Sequence, residues 1–89
     1  MKAIIAVIGR DQVGILAKIA AVCAENSANV IDVNQTVMQD YFTMTMLVEI
    51  DKLACGFGEF SEKVVVAGQS IEMKVHVMHE DIFNSMHRI

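Results

Sequence analysis

The segment from Gly9 to Leu16 has residue types and a spacing that could bind a small carboxylate. An apolar run that starts at Lys2 ends at Gly9, and a helical pattern begins a few residues later. The first turn of a helix carries amide N–H groups without partners in the helix, and a partial positive charge of roughly half a unit. Because Gly14 has no side chain to cover these amides, a carboxylate could approach them closely.

A simpler interpretation of the same residues also stands. Asp11 is placed to act as the N-cap, since its carboxylate can accept the free amide hydrogens of the first turn. Gly14 would then serve only close packing. The local pattern does not separate ligand binding from capping, so both interpretations stay open at this point.

The histidines do not form a metal-binding pattern. His76 and His79 lie three apart on a predicted strand, so they point to opposite faces and cannot chelate one ion together. His79, Glu80, Asp81 and His87 could form a site only if the end of the chain folded back. We expect instead that His79 closes the last strand, that the two acids begin a tail helix, and that no metal is bound.

The cysteines and methionines are expected to have packing roles. Cys23 and Cys55 lie far apart without C-x-x-C spacing, which argues against a zinc site or a disulfide. Met44, Met46 and Met73 fall on inward-facing positions of predicted strands, where core packing explains them better than copper binding. No Ser-His-Asp or Cys-His grouping points to nucleophilic catalysis. We therefore expect neither enzyme activity nor a cofactor.

The composition is typical of a small globular domain with more apolar surface than one core can hide. The chain has 89 residues, of which 54% are hydrophobic and 20% are charged. A domain of this size buries only about 60–65% of the surface that its unfolded chain exposes. We therefore expect a single domain, residues 1–89, that forms a homodimer or a higher homo-oligomer.

The charge distribution argues against two classes of partner. Seven basic and eleven acidic residues give a net charge of −4, and the basic residues form no linear cluster. Nucleic acids and membrane surfaces both attract concentrated positive charge, so we expect neither partner. No apolar stretch reaches the roughly 18 residues needed to span a bilayer. No signal peptide is visible before Arg10, which predicts a cytoplasmic protein.

Hydrophobic periodicity in the first half of the chain predicts a strand, a helix and a β-hairpin. Lys2 to Gly9 is a continuous apolar run, as in a central strand. Val30–Gln39 and Phe42–Ile50 both alternate and flank a short link, which predicts the hairpin. The helical stripe is Leu16, Ile19, Ala20 and Cys23, and one face of the first hairpin strand is Ile31, Val33 and Val37.

The second half predicts another helix and a fourth strand. The β-branched run Val64–Val66 could also form a strand, and Gly58 and Gly68 would each weaken a helix by up to about 1 kcal/mol. Met73–His79 alternates as a strand. The apolar residues that recur at helical spacing are Phe57, Phe60, Val64, Ala67 and Ile71.

The tail, residues 80–89, has a third helical pattern. Glu80 and Asp81 at its start and His87 and Arg88 at its end match the helix dipole. Its apolar residues predict one buried stripe, formed by Ile82, Phe83, Met86 and Ile89.

The order of these elements predicts an α+β fold. Strand, helix, strand, strand, helix, strand describes the ferredoxin-like βαββαβ sandwich, a four-stranded antiparallel sheet with two helices on one face. A short C-terminal helix follows a core of about residues 2–79. The other sheet face, or an edge strand, is where a second subunit is expected.

Two motifs make the chain resemble the ACT domain, a small regulatory module that binds amino acids. The first is Gly9-x-Asp11-x-x-Gly14-Ile15-Leu16, and the second is Asn29-Val30-x-Asp32. The ending Val77–Ile89 is similar to that of small stand-alone ACT proteins of bacteria, and the front half to ACT units of the glycine cleavage transcriptional repressor. Val13 stands where many ACT domains have proline, and Ser27 where they usually have glycine.

The resemblance implies where a ligand would bind. The ligand loop of the family falls on Gly9, Arg10, Asp11, Gln12, Val13, Gly14, Ile15 and Leu16. In amino-acid-binding members this loop meets the second strand of a neighbouring subunit, which corresponds to Asn29, Val30 and Asp32. Loop amides would take the α-carboxylate, and Asp32 or Asp11 the α-ammonium.

This pattern implies a non-catalytic, amino-acid-binding regulatory module that acts in trans as an oligomer. The alternative is an interaction module that binds no ligand.

Overall fold

The chain folds in the predicted order of elements. The computed structural model describes residues 1–86, without the side chains of Phe83 and Met86. In that part of the chain the elements are β1 (Lys2–Arg10), α1 (Ile15–Glu25), β2 (Asn29–Met38), β3 (Tyr41–Glu49), α2 (Phe57–Gln69), β4 (Lys74–His79) and α3 (Glu80–Met86). This is the ferredoxin-like βαββαβ fold with a short C-terminal helix, and the predicted fold class is confirmed.

The sheet has the strand order β2-β3-β1-β4, and all neighbouring strands are antiparallel. β1 lies between β3 and β4, so that Val7 is paired with both Met44 and Val75. β2 and β4 form the edges. Gln39 and Asp40 connect β2 to β3 in a tight turn, in which Gln39 has a φ of 56°.

One face of the sheet is covered by α1 and α2. Alternate residues of β3 point into this core, as the sequence predicts: Phe42, Met44, Met46 and Val48. β1 also buries only alternate residues, Ala3, Ile5 and Val7, although its continuous apolar run predicts a strand covered on both faces. The buried centre of α1 is Ile15, Ile19 and Cys23, whereas Leu16 and Ala20 of the predicted stripe are only half-buried. The predicted stripe is therefore rotated slightly relative to the buried face.

α2 is helical throughout the β-branched run that could have formed a strand. It buries Phe60, Val64, Ala67 and Gly68, and Ile71 lies just beyond its end. Gly68 is required by packing, because an added Cβ would lie 2.2 Å from Cγ2 of Val75 on β4. Gly58, by contrast, has open space around it. The helix tolerates one glycine and needs the other.

The apolar face predicted for β2 is correct for Val33 and Val37, which pair with Met46 and Phe42 on the buried face of β3, but wrong for Ile31; Val37 is nevertheless 54% exposed. A β-bulge lies between Val30 and Asp32, so Ile31 takes no place in the regular ladder and is 44% exposed. Val30 and Val33 pair with the buried Val48 and Met46 and face the core instead. The bulge shifts the alternation by one residue, which simple periodicity does not anticipate.

The end of α1 is held by a buried asparagine. Asn26 donates from Nδ2 to the carbonyl of Val22 at 2.8 Å, and its Oδ1 accepts from Nζ of Lys63 at 3.1 Å and Sγ of Cys55 at 3.6 Å. The next residue, Ser27, has a φ of 61°. This left-handed conformation explains why glycine is usual there, since glycine adopts it without steric cost.

The tail begins as predicted, with Glu80 and Asp81 in the first turn of α3. Ile82, predicted to be buried, is 55% exposed. The side chains of Phe83 and Met86 and all of His87, Arg88 and Ile89 lie outside the described residues. Within residues 1–86, no helix has the length and apolar character needed to cross a bilayer.

Candidate functional site

The loop between β1 and α1 does not use Asp11 as the N-cap, contrary to prediction. β1 continues to Arg10, and the backbone N–H of Asp11 donates to the carbonyl of Asp40 at 2.8 Å. This contact fixes Asp11 beside the β2–β3 turn, three residues before the cap position. Gly14 occupies that position, and no side chain caps the helix.

Gly14 is required by backbone conformation. Its φ of 90° lies in the left-handed region, which side-chain-bearing residues rarely adopt. An added Cβ would find no atom within 4 Å, so close packing, the simpler of the two interpretations, does not explain this glycine. The first turn of α1 carries no acidic residue. The first turn therefore has no capping carboxylate, and the space beside Gly14 is open.

Gln12 fastens the loop to the turn between α2 and β4. Its Nε2 donates to the carbonyl of Ile71 at 2.7 Å and contacts Sδ of Met73 at 3.8 Å. A cavity of about 380 Å³ lies between loop and turn, lined by Arg10, Asp11, Gln12, Ser70, Ile71 and Glu72. A second hollow of about 280 Å³ is lined by Arg10, Asp11, Gln39 and Asp40.

Arg10 and Asp11 thus lie between two polar hollows at one end of the sheet. Among the described residues, no carboxylate lies within 4 Å of the Arg10 guanidinium. The positive charge is therefore available to an anionic group. Sequence reasoning did not include Ser70–Glu72 or Gln39–Asp40, because these turns come from distant parts of the chain and carry no motif.

The second predicted segment lies at the opposite end of the sheet. Asn29 is paired with Glu49 at one end of β3, whereas Arg10 is paired with Tyr41 at the other end. One chain therefore does not bring the loop to Asn29, Val30 or Asp32. A site that uses both segments needs two copies of the chain.

The residues of this second segment differ in their surroundings. Val30 is half-buried on the core side, and Asn29 is exposed. The carboxylate of Asp32 accepts from the backbone N–H of Val33 at 2.9 Å, and Asp32 lies opposite Leu47 on the uncovered sheet face. A hollow of about 400 Å³ separates this segment from α1 and is lined by Ala20, Ala24, Ser27, Ala28, Asn29 and Val30.

A wider groove runs between α1 and α2, on the side of the helices that points away from the sheet. Its volume is about 690 Å³, and it contains both positive and negative side chains. No motif in the sequence indicates it, because it forms from the outward faces of α1 and α2. Its lining is Lys18, Val22, Glu25, Asn26, Glu59, Glu62, Lys63, Val66, Ala67 and Ser70.

The side chain of His79 is held by contacts within the fold. Its ring packs edge-on against Phe57, with centroids 5.3 Å apart, and its Nδ1 accepts from the backbone N–H of Asp81 at 3.1 Å. Within the described residues, no group of three potential ligands could hold a metal ion. His87, the remaining member of the weighed cluster, lies outside the described residues.

The two cysteines are unpaired thiols in different environments. Cys23 is fully buried under α1, and burial raises the pKa of its thiol to about 11. Cys55 is half-buried; desolvation, with a smaller contribution from Glu59, raises its pKa as well. Neither thiol has the lowered pKa that a nucleophile at neutral pH requires.

Comparison with known proteins places this geometry in a family. Residues 2–78 match the ACT domain. The UPF0237 protein of Methanococcus maripaludis is 46% identical over 86 residues, which cover 97% of this chain and 96% of the relative. An ACT domain protein from Streptococcus pneumoniae superposes with a TM-score of 0.82 at 36% identity, covering 93% of both chains.

A third comparison concerns fold alone. A structure named as a glycine cleavage system transcriptional repressor has a TM-score of 0.75 at 13% identity, with 85% of this chain covering 44% of that one. On the match to residues 2–78 and the end-to-end similarity to these relatives, the chain belongs to the ACT-domain family and, within it, to the UPF0237 group.

Proposed function

We propose that this protein is a regulatory module that binds a small amino acid between two copies of the chain and acts in trans, without catalysis. One observation carries the proposal. The N-terminus of α1 has no capping side chain, and the space beside Gly14, where a side chain would lie, is open. An α-carboxylate satisfies free amides and complements the positive end of the helix dipole.

The neighbouring charges suit a zwitterion. Asp11 follows the strand end and can accept from an α-ammonium group, and Arg10 lies beside it without an ion-pair partner among the described residues. In this proposal the loop Gly9–Leu16 of one copy faces Asn29, Val30 and Asp32 of another. The separation of these segments within one chain supports a site shared by two copies.

The test is thermal denaturation with single amino acids at millimolar concentration, beginning with glycine, serine, and branched-chain and aromatic residues. A ligand present at 100 times its dissociation constant stabilises the folded protein by about 2.7 kcal/mol. We expect at least one amino acid to raise the melting temperature of the wild type. Isothermal titration calorimetry then gives its affinity.

Two variants separate binding from folding. Gly14→Val should abolish the shift, but valine is strained at positive φ and also lowers stability. Gly14→Asn tolerates this conformation better while still occupying the space above the amides, so it should remain folded and lose the shift. Asp11→Ala should weaken binding and leave stability within about 0.5 kcal/mol, because Asp11 does not cap the helix.

The alternative, an interaction module without a ligand, is favoured by the exposed apolar residues of the uncovered sheet face. Ile8 is 49% and Tyr41 61% exposed there. If no amino acid shifts the melting temperature of the wild type while Gly14→Asn keeps the oligomer intact, the binding proposal fails and this alternative replaces it.

A further inference from the structure

The groove between α1 and α2 has an apolar centre that is open on the side away from the sheet. Its volume is about 690 Å³, and its lining comes from the two helices and from the residue that follows each of them. Val22 on α1 is half-buried, and Val66 on α2 is 55% exposed. Ala67, a small buried residue next to Val66, also lines the groove. A concave apolar surface of this size is typical of a binding site.

The two helices run in opposite directions, because the strands that precede them, β1 and β3, are antiparallel. Nζ of Lys63 on α2 donates to Oδ1 of Asn26, the residue that follows α1, at 3.1 Å. Val22 lies one turn before Asn26 and Val66 lies about one turn after Lys63, so the two valines face each other. One turn further along, Lys18 lies beside the C-terminal end of α2. The apolar centre therefore lies between two polar ends.

The two ends of the groove differ in charge. Where α1 ends and α2 begins, the lining contains three carboxylates and one ammonium group, those of Glu25, Glu59, Glu62 and Lys63. At the other end the charged lining residue is Lys18. Among the described residues, no basic nitrogen lies within 4 Å of the three carboxylates. This part of the groove, the glutamate end, therefore carries an excess of negative charge that a basic partner can neutralise.

The dimensions of the groove suit a helix. On α2 the lining extends from Glu59 to Ser70, which is about 16 Å at about 1.5 Å per residue, or three helical turns. A third helix can pack its ridges of side chains into the groove that two helices form. An amphipathic helix presents apolar residues at every third or fourth position, and these would cover Val22 and Val66.

We propose that this groove binds an amphipathic helix of another protein, which has lysine or arginine residues where it meets the glutamate end. The apolar stripe of that helix packs on Val22 and Val66. Nucleic acid, a membrane of anionic lipids or an acidic helix would place negative charge against the glutamate end. A second copy of this chain presents a groove at the same face, and one groove does not fill another.

The helix names the kind of partner through which the protein acts in trans, and only in this respect does the inference rest on the proposed function. Ser70 lines both the groove and the cavity beside Arg10, Asp11 and Gln12. The proposed amino-acid site and the docking groove therefore meet at the turn that follows α2.

The experiment measures the binding of designed peptides by fluorescence anisotropy. The probe is a labelled, alanine-rich peptide of about 18 residues, which is long enough to be helical alone. It has leucine at every third or fourth position and lysines clustered at one end. A second peptide has glutamates in place of the lysines. The basic peptide should bind at least about tenfold more tightly than the acidic one, because only the basic peptide complements the glutamate end.

Four variants locate the binding site. Val66→Gln should raise the dissociation constant of the basic peptide at least about tenfold, because it buries an amide in the apolar centre without changing the charge. Val37→Gln, a matched change at a 54% exposed valine on β2, should leave this constant within about threefold of the wild type. Glu62→Lys should weaken binding of the basic peptide and strengthen binding of the acidic one, whereas Glu49→Lys on β3 should do neither. All four side chains are exposed, so the far-UV circular dichroism of each variant should match the wild type.

A photo-crosslinking amino acid at position 66 then identifies the partner in cells. The crosslinked segment should be an amphipathic helix with a basic end, and its synthetic peptide should bind Val66→Gln at least about tenfold more weakly than the wild type. A crosslink to a second copy, or no crosslink to any protein, overturns the docking site. Equal binding of the basic and acidic peptides, or an affinity that Val66→Gln does not change, also overturns it.

Thermal denaturation with single amino acids tests the proposed function separately. A response to an amino acid without peptide binding contradicts the docking site alone. Peptide binding without any amino-acid response contradicts the proposed amino-acid site and leaves the docking site standing.

Discussion

The two faces of the sheet are built from the same strands but differ in what determines them. On the covered face, Ile5, Met46 and Val48 are fully buried under two helices supplied by the same chain. On the uncovered face, Ile8 and Tyr41 alternate with polar and charged residues. Strand periodicity predicts which residues share each face of the sheet. Only for the covered face does the described part of the same chain supply the helices that pack on it.

Burial can be inferred from a sequence pattern only where the chain itself supplies the element that covers the residue. An apolar residue on a strand is buried when an element of the chain returns to cover it, as α1 and α2 do here. On the other face, which no element within residues 1–86 covers, apolar residues alternate with polar and charged ones.

The largest effect should come from an isoleucine on the covered face. Ile5→Ala deletes methyl groups from a fully buried site and should lower the free energy of unfolding by about 2–5 kcal/mol. Ile8→Ala, on the same strand and the opposite face, is the matched control. In urea unfolding at low protein concentration, it should cost less than about 1 kcal/mol. Equal costs would mean that the uncovered face is also core.

Alanine substitutions at the two glycines of α2 should change the free energy of unfolding by smaller amounts and in opposite directions. Gly68→Ala places a methyl group against Val75 on the covered side and should destabilise the protein by about 1–3 kcal/mol. Gly58→Ala enters open space and should stabilise it by up to about 1 kcal/mol through helix propensity. Thermal denaturation of both variants is sufficient. A stabilised Gly68→Ala protein would show that α2 is free to move away from β4.

The two cysteines should differ in reactivity, because Cys23 lies inside the core and Cys55 is half-buried. Native protein at neutral pH should be alkylated first at Cys55, and Cys23 should react only on unfolding, as measured by mass spectrometry.

The pH dependence follows from the pKa of Cys23, which is about 11 in the folded state against 9.0 for an ordinary thiol. The raised pKa favours the protonated thiol in the folded state, so the contribution of Cys23 to the free energy of unfolding is intact below pH 9. That contribution is lost as the pH rises from about 9 to 11, because the thiol ionises in the unfolded chain while burial keeps it protonated in the folded one. Cys23→Ala should reduce the decline in that range. A decline unchanged in Cys23→Ala would assign it to other groups.

The sequence predicted those features that depend on one periodic segment. The inward residues Phe42, Met44, Met46 and Val48 follow from strict alternation along β3, and the helical spacing of Phe60 and Val64 correctly outweighs local β-branching. Features that depend on contacts between two distant segments of the chain were not predicted. The sequence makes Asp11 a candidate cap, whereas in the structure its backbone N–H donates to the carbonyl of Asp40 on a distant turn, a contact with no signature in the local sequence.

The candidate site divides in the same way. The sequence singles out Gly14 for ligand access or for close packing, whereas its φ of 90° shows that backbone conformation requires glycine there. The cavity that Arg10, Asp11 and Gln12 form with Ser70–Glu72 could not be predicted, because loop-to-turn contacts such as the one from Gln12 to Ile71 depend on tertiary structure.

The bulge at Ile31 gives β2 an uneven tolerance to changes in length. Ile31 has no place in the regular pairing, so its removal leaves Val30 opposite Val48 and Asp32 opposite Leu47. Removing any one residue from Val33 to Met38 shifts the register and turns part of the strand inside out. Insertions and deletions among homologous chains should therefore gather at this one point, where the strand can gain or lose a residue without exchanging its two faces.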